Sequence, residues 1–152
     1  MHYFTFVYVL VIATLASVQA EDNKVSKEKL REAAMIIVND CKEKEGASDE
    51  DIAALKEHKL PKSEKGLCMI QCLYNTIKIM KDGKFNKAGA IEVSSQALKG
   101  DEAKLTKMKE VMNECEKEIG ETTGCQVAKL ITECIAKHGK EFGITIPHMK
   151  SM

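Results

Sequence analysis

From residue 26 onward, apolar positions recur at steps of three and four, which is the spacing of one face of an α-helix. The first run is Leu30, Ala33, Ala34, Ile37 and Cys41, with Met35, Ile36 and Val38 widening the face. It predicts a helix from Ser26, a plausible N-cap, to about Lys44, stopped by Gly46. Ser48-Asp-Glu-Asp51 predicts a short second helix with acidic residues in its first turn, where the helix dipole favours them. There Ile52, Ala53 and Leu55 should point inward, and Leu60-Pro61 should end the run, since the residue before a proline avoids helical geometry. A third helix is expected from the cap Ser63 to Gly83, and a fourth from Lys87 to Leu98 with Ala90, Ile91, Val93 and Ala97 inside. Asp101 should cap a fifth, carrying Leu105, Met108, Val111, Met112, Cys115 and Ile119 and closed by Gly120. Thr122 or Thr123 should open a sixth, with Cys125, Val127, Leu130, Ile131, Cys134 and Ile135 on its apolar side and Gly139 at its end. After it Phe142, Ile144 and Ile146 alternate. That reads as an extended segment laid on the domain, against a disordered tail as the plain alternative. No other strand pattern and no repeat is present, so the fold class is all-α, about six short helices.

The third run has the widest apolar face. Stepping about 100° per residue from Cys68, the apolar positions Ile79, Cys72, Met69, Met80, Leu73, Ile77, Ile70 and Tyr74 cover an arc of about 240°. A surface helix needs a stripe of only about 100°. This helix should therefore be surrounded, as the central post of the domain, and it offers the thiols of Cys68 and Cys72 on nearly one face.

The start of the chain is of another kind. Residues 1–20 are apolar, no Lys or Arg precedes Lys24, and the run ends in Val18-Gln19-Ala20, small residues at the positions a signal peptidase reads. We read 1–20 as a secretory signal peptide and 21–152 as the mature domain; an uncleaved membrane anchor is the alternative. Secretion places the product in extracellular fluid. The 23 basic and 23 acidic residues all follow residue 20, so the mature domain is near neutral. It has no basic stripe, which excludes nucleic acid as a partner. Tyr74, Phe85 and Phe142 are its only aromatics, so its core must be aliphatic and methionine-rich.

Six cysteines in a small secreted chain argue three disulfides. The shortest gap is three residues and no histidine lies near it, so no metal site is expected. Six cysteines allow fifteen pairings. Cys125 and Cys134 are nine residues apart, about 900°, and leave the sixth helix on opposite sides, so they cannot bond each other. Cys68–Cys72 would crowd one helical face. Several schemes remain open.

The spacing Cys41-x26-Cys68-x3-Cys72-x42-Cys115-x9-Cys125-x8-Cys134 resembles the six-cysteine signature of insect odorant-binding proteins of the pheromone-binding type, whose fixed x3 and x8 gaps both match. The resemblance covers the whole mature chain. It implies the pairs Cys41–Cys72, Cys68–Cys125 and Cys115–Cys134. It also implies a hydrophobic cavity that carries small apolar ligands through aqueous fluid, with no cofactor. A membrane chemoreceptor is an implied partner, and the expected state is a monomer or weak homodimer.

The residues themselves add weaker support. Met69, Met80, Met108 and Met112 would give deformable walls. Candidate lining residues are Ile37 from the first helix and Met69, Leu73, Tyr74, Ile77 and Met80 from the third. Ile91 and Ser95 come from the fourth, Met108 and Met112 from the fifth, Val127 and Ile131 from the sixth, Phe142 and Ile144 from the tail. Tyr74, Thr76, Ser94 and Ser95 are the polar candidates for fixing a ligand's orientation. The resemblance also implies that the tail can act as a lid and that release can depend on pH. His138 and His148 are the groups that could titrate, unless both are simply solvated. Enzymatic chemistry finds no support, since there is no G-x-S-x-G and no His-Asp pair. Two other readings stay open: a saposin-like protein that works on lipid membranes, and a secreted helical interaction protein with a solid core.

Overall fold

The computed structural model describes residues 28, 29, 31–98 and 100–144. The chain parts into two units between Ile37 and Val38. The described residues of the first, 28, 29 and 31–37, are helical, and the start expected at Ser26 lies outside them. All that follows concerns the second unit. Residues 38–45, here α1, are helical and end at Gly46, whose φ of 65° suits glycine.

Helix α2 (Asp49–Lys56) begins with a reciprocal cap: the Ser48 hydroxyl accepts the Asp51 N–H, and the Asp51 carboxylate accepts the Ser48 N–H. The helix stops four residues before Leu60, not at Leu60-Pro61 as expected. His58 turns to φ 60°, and the Lys59 N–H reaches back to the Ala54 carbonyl at 2.8 Å, closing the helix before the proline can. Ala53 is exposed rather than inward, and Asp51 takes the buried place.

Helix α3 (Glu64–Thr76) ends seven residues before Gly83, where the sequence pattern placed its stop. Lys78 adopts φ 69°, and the chain folds into a hairpin of β1 (Met80–Lys81) and β2 (Lys84–Phe85), with Met80 opposite Phe85. Asp82 (φ 52°) and Gly83 (φ 75°) form its two-residue turn, left-handed at both positions, as a tight hairpin requires. The hairpin is anchored at both ends. The Asn86 N–H donates to the Ile79 carbonyl at 2.9 Å, and the Gly124 N–H to the Gly83 carbonyl at 3.2 Å.

Helix α4 (Lys87–Ala97) is capped by Asn86 and α5 (Glu102–Ile119) by Asp101. Helix α6 (Cys125–Glu141) starts after Gly124, with no side-chain cap from Thr122 or Thr123. It also runs through Gly139, which is buried within it, and ends at Phe142-Gly143 instead. Among the described elements, α6 packs against α3, α5 and β2, while α4 lies on α5. The post of the domain is therefore α6 rather than α3.

The structure contains three disulfides. Cys41–Cys72 joins α1 to α3, Cys68–Cys125 joins α3 to α6, and Cys115–Cys134 joins α5 to α6. Helix α6 is thus tied on opposite flanks. The core between these ties is aliphatic and methionine-rich: Met69, Met80, Val111, Val127 and Ile131 are fully buried. Each such side chain contributes about 1.5–3 kcal/mol through the apolar surface it removes from water.

Candidate ligand-binding site

The predicted lining residues separate into an inner and an outer set. Met69, Met80, Met108, Met112, Val127, Ile131 and Ile144 are buried. Leu73, Tyr74, Ile91 and Phe142 are half-buried, as is Ile37 in the other unit. Ile77 and Ser95 are exposed. Ile77 misses the interior because α3 has already ended, leaving it as the residue that closes the helix. Ser95 misses it because α4 turns Gly89 and Ala90 inward, and Ser95 lies around the helix from them. Of the other polar candidates, Thr76 is exposed and bonds to the Cys72 carbonyl, and Ser94 bonds to the Ala90 carbonyl at 2.7 Å. Neither hydroxyl's hydrogen is free for a ligand.

Tyr74 is the polar side chain that α3 sends toward α6. Its hydroxyl lies 2.7 Å from the Thr132 hydroxyl, which itself donates to the Ala128 carbonyl at 2.8 Å. Burial pushes the phenol's pKa above its ordinary value, and the Thr132 bond opposes this in part. Thr132 was not among the expected site residues. The signal was present: Thr132 stands between Ala128 and Ile135 at helical spacing, on the apolar side of its helix.

His138 is not solvated. It is buried on α6, with Nε2 2.8 Å from Glu118 of α5 and Nδ1 2.6 Å from Glu141. The Glu118 hydrogen bond is the chief cause holding its pKa above the ordinary value; burial opposes it and Glu141 adds to it. Glu118, Cys134 and His138 also come together closely enough to suggest a metal site. Cys134 is bonded to Cys115, however, and both imidazole nitrogens face carboxylates, so this trio is an ion-pair cluster. His148 and Ile146 lie outside the described residues.

Surface openings lie elsewhere. A depression of about 730 Å³ beside the hairpin is lined by Asn75, Lys78, Lys81, Asp82, Asn86 and Glu92, with Met80 as its one large apolar side chain. A second, of about 250 Å³, lies over α5 and α6 among Glu118, Leu130, Glu133 and Lys137. The first is lined mainly by polar and charged side chains, and the second mixes charged groups with Ile119, Leu130 and Cys134. Among the described residues no helix is long and apolar enough to cross a membrane.

Among the described residues, six helices, four of them tied by three interlocking disulfides around a methionine-rich interior, define a class of small disulfide-framed helical proteins. The chain belongs to the PBP/GOBP family, whose pattern it matches over residues 23–138. It is 31% identical over 147 residues to general odorant-binding protein 19d of Drosophila melanogaster, spanning 96% of this chain and 98% of that one. Its fold is similar to that of odorant-binding protein dmelOBP28a from the same fly, with a TM-score of 0.63 and 24% identity over 78% of this chain and 98% of the other. It is also similar to fatty acid binding protein OBP56a from the oral disk of the blowfly Phormia regina. There the TM-score is 0.57 and the identity 19%, over 75% of this chain and 95% of that one.

Proposed function

We propose that this protein is a secreted carrier of small hydrophobic ligands, odorant- or pheromone-like, which it holds in its interior and moves through aqueous fluid. The observation that carries the reading is the interior itself. Met69, Met80, Met108 and Met112 are buried together with Val127 and Ile131, inside a frame of three disulfides. Methionine is long, unbranched and polarizable, so such walls reshape around ligands of different outline. A cross-linked frame keeps its helices in place while they do so. Family membership supports the same reading. In it residues 1–20 are the signal peptide, cleaved after Ala20, the protein catalyses nothing, and a membrane chemoreceptor receives the ligand.

The test is titration of the oxidised mature protein with an environment-sensitive apolar dye, then displacement by long-chain alcohols, aldehydes, terpenoids and fatty acids, the last being the class for which the blowfly protein is named. The absence of tryptophan leaves a clean optical background. Saturable micromolar binding that is lost on reduction of the disulfides is the expected result. No saturable binding by the oxidised protein would sink the reading.

A further inference from the structure

The direction of the hydrogen bond between Tyr74 and Thr132 follows from a count of hydrogens. Taken alone, either hydroxyl could donate across the 2.7 Å between them. Thr132 has one hydroxyl hydrogen, and it points to the Ala128 carbonyl. The hydrogen in the Tyr74 contact is therefore the tyrosine's own. The chain runs from Tyr74 O–H to Thr132, and from Thr132 O–H to Ala128. Tyr74 has used its donor, and its oxygen keeps only the capacity to accept.

That contact also sits between α3 and α6. Thr132 is buried, and Tyr74 follows the buried Ile70 by one turn of α3. The surroundings are dense enough to disfavour the charged phenolate, yet part of the side chain remains uncovered. Tyr74 is thus closely surrounded at the α3–α6 seam and still partly exposed.

We infer that Tyr74 is the polar anchor of the ligand site and that it selects apolar chains ending in a hydroxyl donor over chains whose only polar atom is an acceptor. The inference rests on the carrier reading above. A ligand hydroxyl donates to the open side of the Tyr74 oxygen and extends a chain already aligned. An ether oxygen sets a second acceptor against it. To receive that ligand, Tyr74 must turn its hydrogen inward and Thr132 must turn to Tyr74, giving up Ala128. The Ala128 carbonyl keeps the backbone N–H of Thr132 within α6, so the loss is one neutral hydrogen bond, a factor of about five in affinity.

The test displaces a bound apolar dye with dodecanol and with dodecyl methyl ether, in the wild type and in two variants, Tyr74→Phe and Thr132→Val. The alcohol-to-ether ratio is internally referenced, because both ligands compete with the same dye. In Tyr74→Phe this ratio should fall about fivefold, through weaker alcohol binding. In Thr132→Val the Tyr74 hydrogen is released toward the ligand, so the ratio should fall through tighter ether binding. Valine matches threonine in shape, so this variant still reports if loss of the phenol hydroxyl disturbs folding. A ratio unchanged in both variants overturns the inference. Failure of the wild type to bind the dye saturably overturns instead the carrier reading on which it stands.

Discussion

The Ser63 hydroxyl lies 2.8 and 2.9 Å from the two oxygens of the Asp51 carboxylate, and this contact joins the starts of two helices. Ser63 is the N-cap of α3, accepting the Gly66 N–H at 2.8 Å. Asp51 completes the cap of α2 through the N–H and hydroxyl of Ser48, each at 2.9 Å. The joint is tight: a Cβ on Gly66 would come within 2.5 Å of the carboxylate and 2.4 Å of Pro61. Asp51→Asn keeps the shape but turns an amide donor toward groups that are already donors. It should cost about 2 kcal/mol, the range for a hydrogen-bonded charged group, read as a lower urea midpoint at unchanged slope. Ser63→Ala should cost about 1 kcal/mol through the lost cap. Wild-type midpoints for both would show that the joint stabilises nothing.

The same carboxylate makes the fold sensitive to acid. Burial pushes the pKa of Asp51 up, but hydrogen bonds from the Ser48 backbone, Ser63 and the Ser48 hydroxyl together outweigh burial and hold it below 3.8. A depressed folded value stabilises above the unfolded value and is lost as pH falls through the folded one. Stability should therefore drop below a pH of about 4, and Asp51→Asn should flatten that part of the profile.

At the other end of the scale His138 works with the opposite sign. Its folded pKa is held above 6.5, first by Glu118. Its contribution is complete below 6.5 and fades as pH rises through the folded value. The thermal midpoint should decline across that rise, reflecting a loss of about 1 kcal/mol, the order found for a histidinium at a helix C-terminus. His138→Gln should remove the decline, and an imidazole titrating at or below 6.5 by NMR would contradict the assignment. The cluster joins α5 to the last turn of α6, just before Ile144, which is buried and donates its N–H to the Gly139 carbonyl at 2.7 Å.

Helix number and the inward faces of α5 and α6 were legible because Met108, Val111, Met112 and Cys115, and then Val127, Ile131 and Cys134, follow one face without interruption. The end of α3 was not, because Ile77, Ile79 and Met80 continue the helical spacing of the residues before them. The contrary signal was Asp82-Gly83, a strong hairpin dipeptide, which was read as a helix stop. Residue type misled at Asp51 and His138 as well. The carboxylate was read as a first-turn acid favoured by the helix dipole and the imidazole as a group that titrates or is solvated, and both are buried because hydrogen-bonding partners on other segments, Ser63 and Glu118, meet them only in the folded chain. The orientation of the Tyr74 hydroxyl was out of reach for a similar reason, since Thr132 is 58 residues away.

The hairpin carries a prediction of its own. A Cβ on Gly89 would stand 2.0 Å from the Lys78 carbonyl oxygen and 2.6 Å from the Asn86 amide nitrogen. That amide donates to the same carbonyl at 2.8 Å, so helix α4 and the segment after α3 meet with no room between them. Gly89→Ala should cost about 2 kcal/mol by forcing them apart, although alanine is the better helix former. Enhanced amide exchange in residues 78–86 should accompany the loss. A variant as stable as the wild type would mean that the junction yields freely.

The disulfides should contribute unequally. Cys68–Cys125 spans 57 residues and Cys115–Cys134 spans 19. If the bonds act mainly by restricting the unfolded chain, the threefold ratio of loop lengths makes the longer one worth about 1 kcal/mol more. Replacing each pair in turn by alanines, with the other two bonds intact, tests this through urea midpoints. The two bonds leave opposite flanks of α6, so their removal should also separate in function. Without Cys68–Cys125, α6 is freed from α3, the Tyr74–Thr132 contact loosens, and apolar dye affinity should fall together with stability. Without Cys115–Cys134, α6 keeps its tie to α3, and dye affinity should fall less. Equal losses of affinity in the two variants would mean that the frame acts as a whole, with no special part for the α3–α6 seam.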